Sequence, residues 1–125
     1  MNTSTIRIAE NIELPYKCDL YVLEKIQEKY GTVLDFERQL IGKKIVQEKD
    51  ENGDLIEKEV FTEPSISAVN FALPLMVKEG LEIEQISGDY PFKTDRQILS
   101  AATRNYRYIA YDLHNEFANC FKVKK

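Results

Sequence analysis

A chain of 125 residues, 43% apolar and 30% charged, has the length of one domain and the composition of a folded protein, which excludes a disordered tract or a core that needs staples. Its formal net charge of −4 and pI near 5.1 oppose a phosphate-binding footprint, so no nucleic-acid partner is expected. Residues 1–5 are polar, no apolar leader follows and no run approaches the length of a membrane span, so a cytoplasmic protein with no membrane partner is expected.

In chain order, residues 5–9 and 12–16 read as two short strands turning at Glu10-Asn11. A first helix follows, capped by Asp19, with Leu20, Leu23, Ile26 and Tyr30 as its buried face and Gly31 as its stop. Thr32 with Asp35 three residues on opens a shorter helix through Phe36, Leu40 and Ile41 that Gly42 ends. The stretch 63–80, EPSISAVNFALPLMVKEG, is the most apolar part of the chain and carries no group that does chemistry. Pro64 suits a first helical turn, Ser65 is an alternative N-cap, and Ile66, Val69, Leu73, Met76 and Val77 recur at spacings of three and four. Gly80 is the expected stop, and Pro74 within the pattern predicts a kink or split near residues 70–73. This bent stripe reads as core, with a groove for a partner as the other reading.

Residues 83–92 read as a loop. Thr94 with Gln97 then forms a capping box that opens a long helical pattern through Ile98, Ala102, Ile109, Leu113, Phe117 and Phe121, which Asn105 can divide. The expected fold is therefore mainly α within the α+β class: a single small helical domain with a short N-terminal β element and a protruding hairpin around Asn52-Gly53. Residues 1–91 carry 10 Lys and Arg against 18 Asp and Glu, whereas residues 92–125 carry 7 against 3, a polarity that allows head-to-tail association or choice of partner by charge.

The one ligand-like motif is EKDENGDLIEKE, residues 48–59. As a calcium loop it places Glu48, Asp50, Asn52 and Glu59 at ligand positions and Gly53 at the sharp turn. Against this, Ile56 takes a position that needs an oxygen, and the flanks are short and β-branched where the loop needs helices. A hairpin turning at Asn52-Gly53, which pairs Ile45 with Val60, is the favoured reading. Catalytic arrangements fail on inventory: His114 is the single histidine, Cys18 and Cys120 are the only cysteines, and no Gly-rich phosphate loop exists. Cys18 near a helix start could have a lowered thiol pKa, and Cys120 beside Phe117 and Phe121 reads as core filler. No catalytic residue, cofactor or metal site is assigned.

The order of IELPYKCDLYVLEKIQEKYG, FERQLIG, EPSISAVNFALPLMVKEG and LHNEFANCF resembles the small tail assembly chaperones of long-tailed phages and prophages of Gram-positive bacteria. The resemblance implies a non-catalytic protein in the host cytoplasm that holds the tape measure protein and tail-tube subunits until the tube polymerises. Lys124-Lys125 reads as a solvated tail, with ribosomal slippage there to a longer product, which the resemblance implies, as the other reading. Other readings are a minor structural tail or head-completion protein, or a small regulatory adaptor. The interaction candidates are Leu75 on the far side of the third helix with Leu81, Ile83 and Ile86 beyond it, alternating with Glu82 and Glu84 as an apolar strip rimmed by charge.

Overall fold

A computed structural model describes residues 3–85 and 92–122; Ile86 and the Lys124-Lys125 pair lie outside the described residues. The fold is α+β, with helices packed around one hydrophobic cluster and two separate two-stranded antiparallel sheets. Strands β1 (Ser4–Ala9) and β2 (Ile12–Tyr16) turn at Glu10-Asn11 as the sequence predicts. Their period-two alternation buries Ile6, Ile8, Leu14 and Tyr16 on one side and leaves Arg7 and Glu13 exposed, 2.6 Å apart as an ion pair, on the other.

Helix α1 (Leu20–Tyr30) starts where Asp19 accepts the Val22 N–H and stops at Gly31. Its buried residues are Val22 and Ile26, with Leu23 and Tyr30 packed beside them. Leu20 is instead 83% exposed. Helix α2 (Val33–Ile41) is capped by the Thr32 hydroxyl, which accepts from the Asp35 N–H at 3.1 Å, and it buries Phe36 and Leu40.

Helix α3 (Ile66–Glu84) departs from the sequence reading at both ends. The Ser65 hydroxyl caps it by accepting from the Ala68 N–H, so Pro64 lies before the helix. Gly80 does not end it: the helix runs through to Gln85, which takes the left-handed cap conformation, so Ile83 and Glu84 are helical and not part of a loop. Gly80 is needed for contact. A Cβ there would stand 2.6 Å from the Pro15 carbonyl carbon and the Tyr16 nitrogen, so the missing side chain is what lets α3 lie on β2. Pro74 sits inside the continuous helix without splitting it, buried with Ala68, Val69, Ala72, Leu73, Met76 and Val77. Packing on both sides of the turn offsets the backbone hydrogen bond that Pro74 cannot make. Ile66, expected on the buried stripe, is 60% exposed.

Strands β3 (Lys43–Lys49) and β4 (Leu55–Phe61) form the expected hairpin with a shifted register. Ile45 faces Glu59, and Val60 faces Lys44. The shift comes from Asp50. Its carboxylate accepts the Asn52 and Asp54 N–H groups, its backbone N–H bonds the Asp54 carbonyl, and Gly53 closes the turn at φ 83. This three-residue loop with a left-handed glycine displaces the two-residue turn that Asn-Gly favours. Strands, not helices, flank residues 50–54, so the helix–loop–helix frame of a calcium loop is absent.

The C-terminal pattern divides as expected. Helix α4 (Asp95–Ala102) opens with the Thr94–Gln97 capping box, a 3-10 turn covers Thr103–Asn105, and α5 (Tyr106–Asn119) follows. The Asn105 amide donates to the Ile8 carbonyl at 3.1 Å, where the β1–β2 register shifts and the ladder cannot supply that bond. Helix α5 buries Ile109, Ala110, Leu113 and Phe117, while Phe121 lies past its end with its ring edge-on to Phe117.

Candidate functional site

Among the described residues an open groove of about 900 Å³ runs between α1 and α3. Tyr21, Lys25, Glu28 and Lys29 form one wall, and Phe71, Leu75, Lys78, Glu79 and Glu82 form the other. Both sets follow helical spacing, since positions i, i+4, i+7 and i+8 share a face. Tyr21, Phe71 and Leu75 make the apolar floor. The Lys25 ammonium stands 5.5 Å from the centre of the Tyr21 ring and the Lys29 ammonium 5.3 Å from that of Phe71, so each cation lies over an aromatic ring of the groove. Tyr30 fixes Phe71 from below, edge-on at 5.8 Å.

One rim group titrates near neutrality. Glu79 hydrogen-bonds the carboxyl of Asp19, the α1 cap, and this contact, aided by burial and by the charges of Asp19 and Glu82, pushes its pKa up to about 7. This contact joins the end of the groove to the helix cap.

Of the interaction candidates read from sequence, Leu75 lies on the groove floor. Leu81 is half-buried and packed against the core, and Ile83 is half-buried two residues further on. Successive helical positions are about 100° apart, so Leu81 and Ile83 point to different sides of α3. The alternating strip with Glu82 and Glu84 does not form, because it needs the period of a strand. Tyr21 and Phe71 were missed, although the i, i+4 spacings Tyr21–Lys25–Lys29 and Phe71–Leu75–Glu79 carry their signal.

Two thiols meet away from the groove lining. Cys120 at the end of α5 lies 3.5 Å from Cys18, sulfur to sulfur, so it is a partner of Cys18 and more than filler. Burial first, then the neighbouring Cys120, Glu116 and Asp19, raise the Cys18 thiol pKa, the reverse of the lowering that a helix start suggests. Cys18 lies before the Asp19 cap, where no free helix N–H points at its sulfur. The Cys18 backbone N–H instead donates at 2.9 Å to the buried carboxylate of Glu116, which also accepts from the Ser4 hydroxyl at 3.1 Å. His114 bonds Glu37 at 2.9 Å and stacks on Phe117. Among the described residues no group of three or more His, Cys, Asp and Glu side chains could hold a metal ion, and no helix is long and apolar enough to cross a membrane.

Fold and site together define a small α+β domain that carries an aromatic-floored groove with a mixed-charge rim. No family model, curated protein or solved structure matches the chain.

Proposed function

We propose that this protein is a non-catalytic tail assembly chaperone that binds the tape measure protein and tail-tube subunits in the host cytoplasm during phage tail morphogenesis. The observation that carries the reading is the groove between α1 and α3. Its wall from Phe71 to Glu82 is eleven helical steps, about 16 Å, which suits roughly three turns of a client helix. A tape measure protein is a long, helical, aggregation-prone client, and an amphipathic helix seats its apolar face on Tyr21, Phe71 and Leu75. Three lysines and three glutamates on the rim pair with the mixed charges that flank such a face. The order of apolar segments and punctuating Pro and Gly from Ile6 to Phe121, which resembles these chaperones, points the same way.

Co-expression with the tape measure protein of the same gene cluster tests the reading. The wild-type chain should raise the client's soluble fraction, and Tyr21→Glu, at a side chain already 55% exposed, should remove that effect with no change in melting temperature. A client that stays insoluble beside the wild-type chain would contradict the proposal.

A further inference from the structure

The β3–β4 hairpin stands apart from the groove, and its extensive contacts are with itself and with the end of α2 from which β3 emerges. Phe61 and Leu55 are 77% and 67% exposed, on the same face as the exposed Ile45. A bare two-stranded ribbon is marginal in water and gains stability from a further strand or a packed face. Its edges decide which addition fits.

The hydrogen bonds Asp50 N–H to Asp54 C=O and Thr62 N–H to Gly42 C=O mark both ends of the ladder. Backbone bonds alternate along an antiparallel strand, so even-numbered β3 residues bond inward to β4, and Lys43, Ile45, Gln47 and Lys49 present N–H and C=O outward. Two β3 edges brought together antiparallel about Val46 place Ile45 opposite Gln47 of the second copy, matching outward groups to outward groups. In the same register Val46 meets Val46, and Lys44 meets Glu48 of the second copy on both sides of it. Lys44, Val46 and Glu48 share one face, and they form the close non-hydrogen-bonded pairs in which cross-strand charges interact best. Lys58, 3.8 Å from Glu48 in its own hairpin, extends the alternation.

The other edge argues against itself. The equivalent pairing of two β4 strands sets Lys58 opposite Lys58 and Glu57 opposite Glu59, so like charges meet along its centre. We infer that the β3 edge is a homodimerisation surface, on which two copies of this chain join their hairpins antiparallel about Val46 into one four-stranded sheet. The area is small, so the dimer forms weakly and with concentration, at a dissociation constant on the order of 10–100 µM. This surface is independent of the groove and of the client assigned to it.

Sedimentation velocity from about 5 to about 500 µM, a span that brackets that dissociation constant, tests the inference. Wild-type protein should pass from monomer to dimer across this range. Lys44→Glu and Glu48→Lys should each weaken the dimer roughly tenfold or more by placing like charges together, and the double charge swap should restore it. Glu57→Lys on the β4 edge should leave the dimer unchanged, and circular dichroism melts should confirm that all variants remain folded. A wild-type chain that stays monomeric throughout, single reversals without effect, a double swap that fails to recover, or a response to Glu57→Lys alone would each overturn the inference.

Discussion

Gly80 of α3 lies so close to Pro15 of β2 that a Cβ at position 80 would stand 2.7 Å from the Pro15 carbonyl oxygen. Backbone blocks the site on that side, so no flexible side chain can yield. Gly80→Ala gains about 1 kcal/mol of helix propensity but costs more than that in forced separation of α3 from β2, for a net loss of roughly 1–3 kcal/mol. Chemical denaturation should show a lower midpoint. A variant as stable as the wild type would mean that the two elements do not pack this closely.

Leu73 is fully buried one residue before Pro74. Leu73→Ala should cost about 2–5 kcal/mol, whereas Asn70→Ala on the exposed side of the same helix should stay within about 0.5 kcal/mol of wild type. The comparison separates core from surface on one element. Similar losses for both would contradict the assigned face of α3.

Glu79 supplies a pH signature. Below about pH 4.5, its ordinary value, the carboxyl is protonated in folded and unfolded chain alike; between there and about 7 only the folded chain holds the proton. Protonation therefore favours the fold through that window, and the advantage is lost as pH rises through 7. Glu79→Gln keeps a neutral hydrogen-bonding group beside Asp19, so it should raise the melting temperature near pH 8 and flatten its fall between about pH 5 and 8. An unchanged slope would contradict the raised Glu79 pKa.

Thiol reactivity checks the pairing of Cys18 with Cys120. A buried thiol with a raised pKa holds little thiolate, and thiolate is the reactive form. In the native protein iodoacetamide should modify the partly exposed Cys120 first and Cys18 roughly 100-fold more slowly than in the unfolded chain. Mass spectrometry of the two peptides reads the ratio. Rapid native modification of Cys18 would contradict its burial against α5.

The punctuation of the fold was legible in the sequence because its causes are local. Asp19, Thr32, Ser65 and Thr94 cap helices through hydroxyl or carboxylate oxygens within three residues, and Gly31 and Gly42 end two of them. What failed were features set by distant chain. Gly80 looks like a stop until β2 is known to press against it, and Leu20 looks buried until α1 is found to turn Val22 and Ile26 inward instead. The meeting of Cys18 with Cys120 spans 102 positions, beyond any spacing rule. The hairpin register went astray by one residue because the Asp50 carboxylate, a side chain, reshaped the turn. At the groove, Leu75 was found by its place on α3, while Tyr21 and Phe71 became meaningful only when α1 and α3 were set side by side.

The central claim is that the groove between α1 and α3 holds a client helix. Methyl and aromatic NMR of the chain titrated with a helical fragment of the tape measure protein from the same gene cluster tests it most directly. The account predicts that the Leu75 methyls and the Tyr21 and Phe71 ring resonances shift together and saturate, while those of Ile45, Leu55 and Phe61 on the hairpin stay in place. No saturable shift, or shifts confined to residues away from the groove, would contradict it.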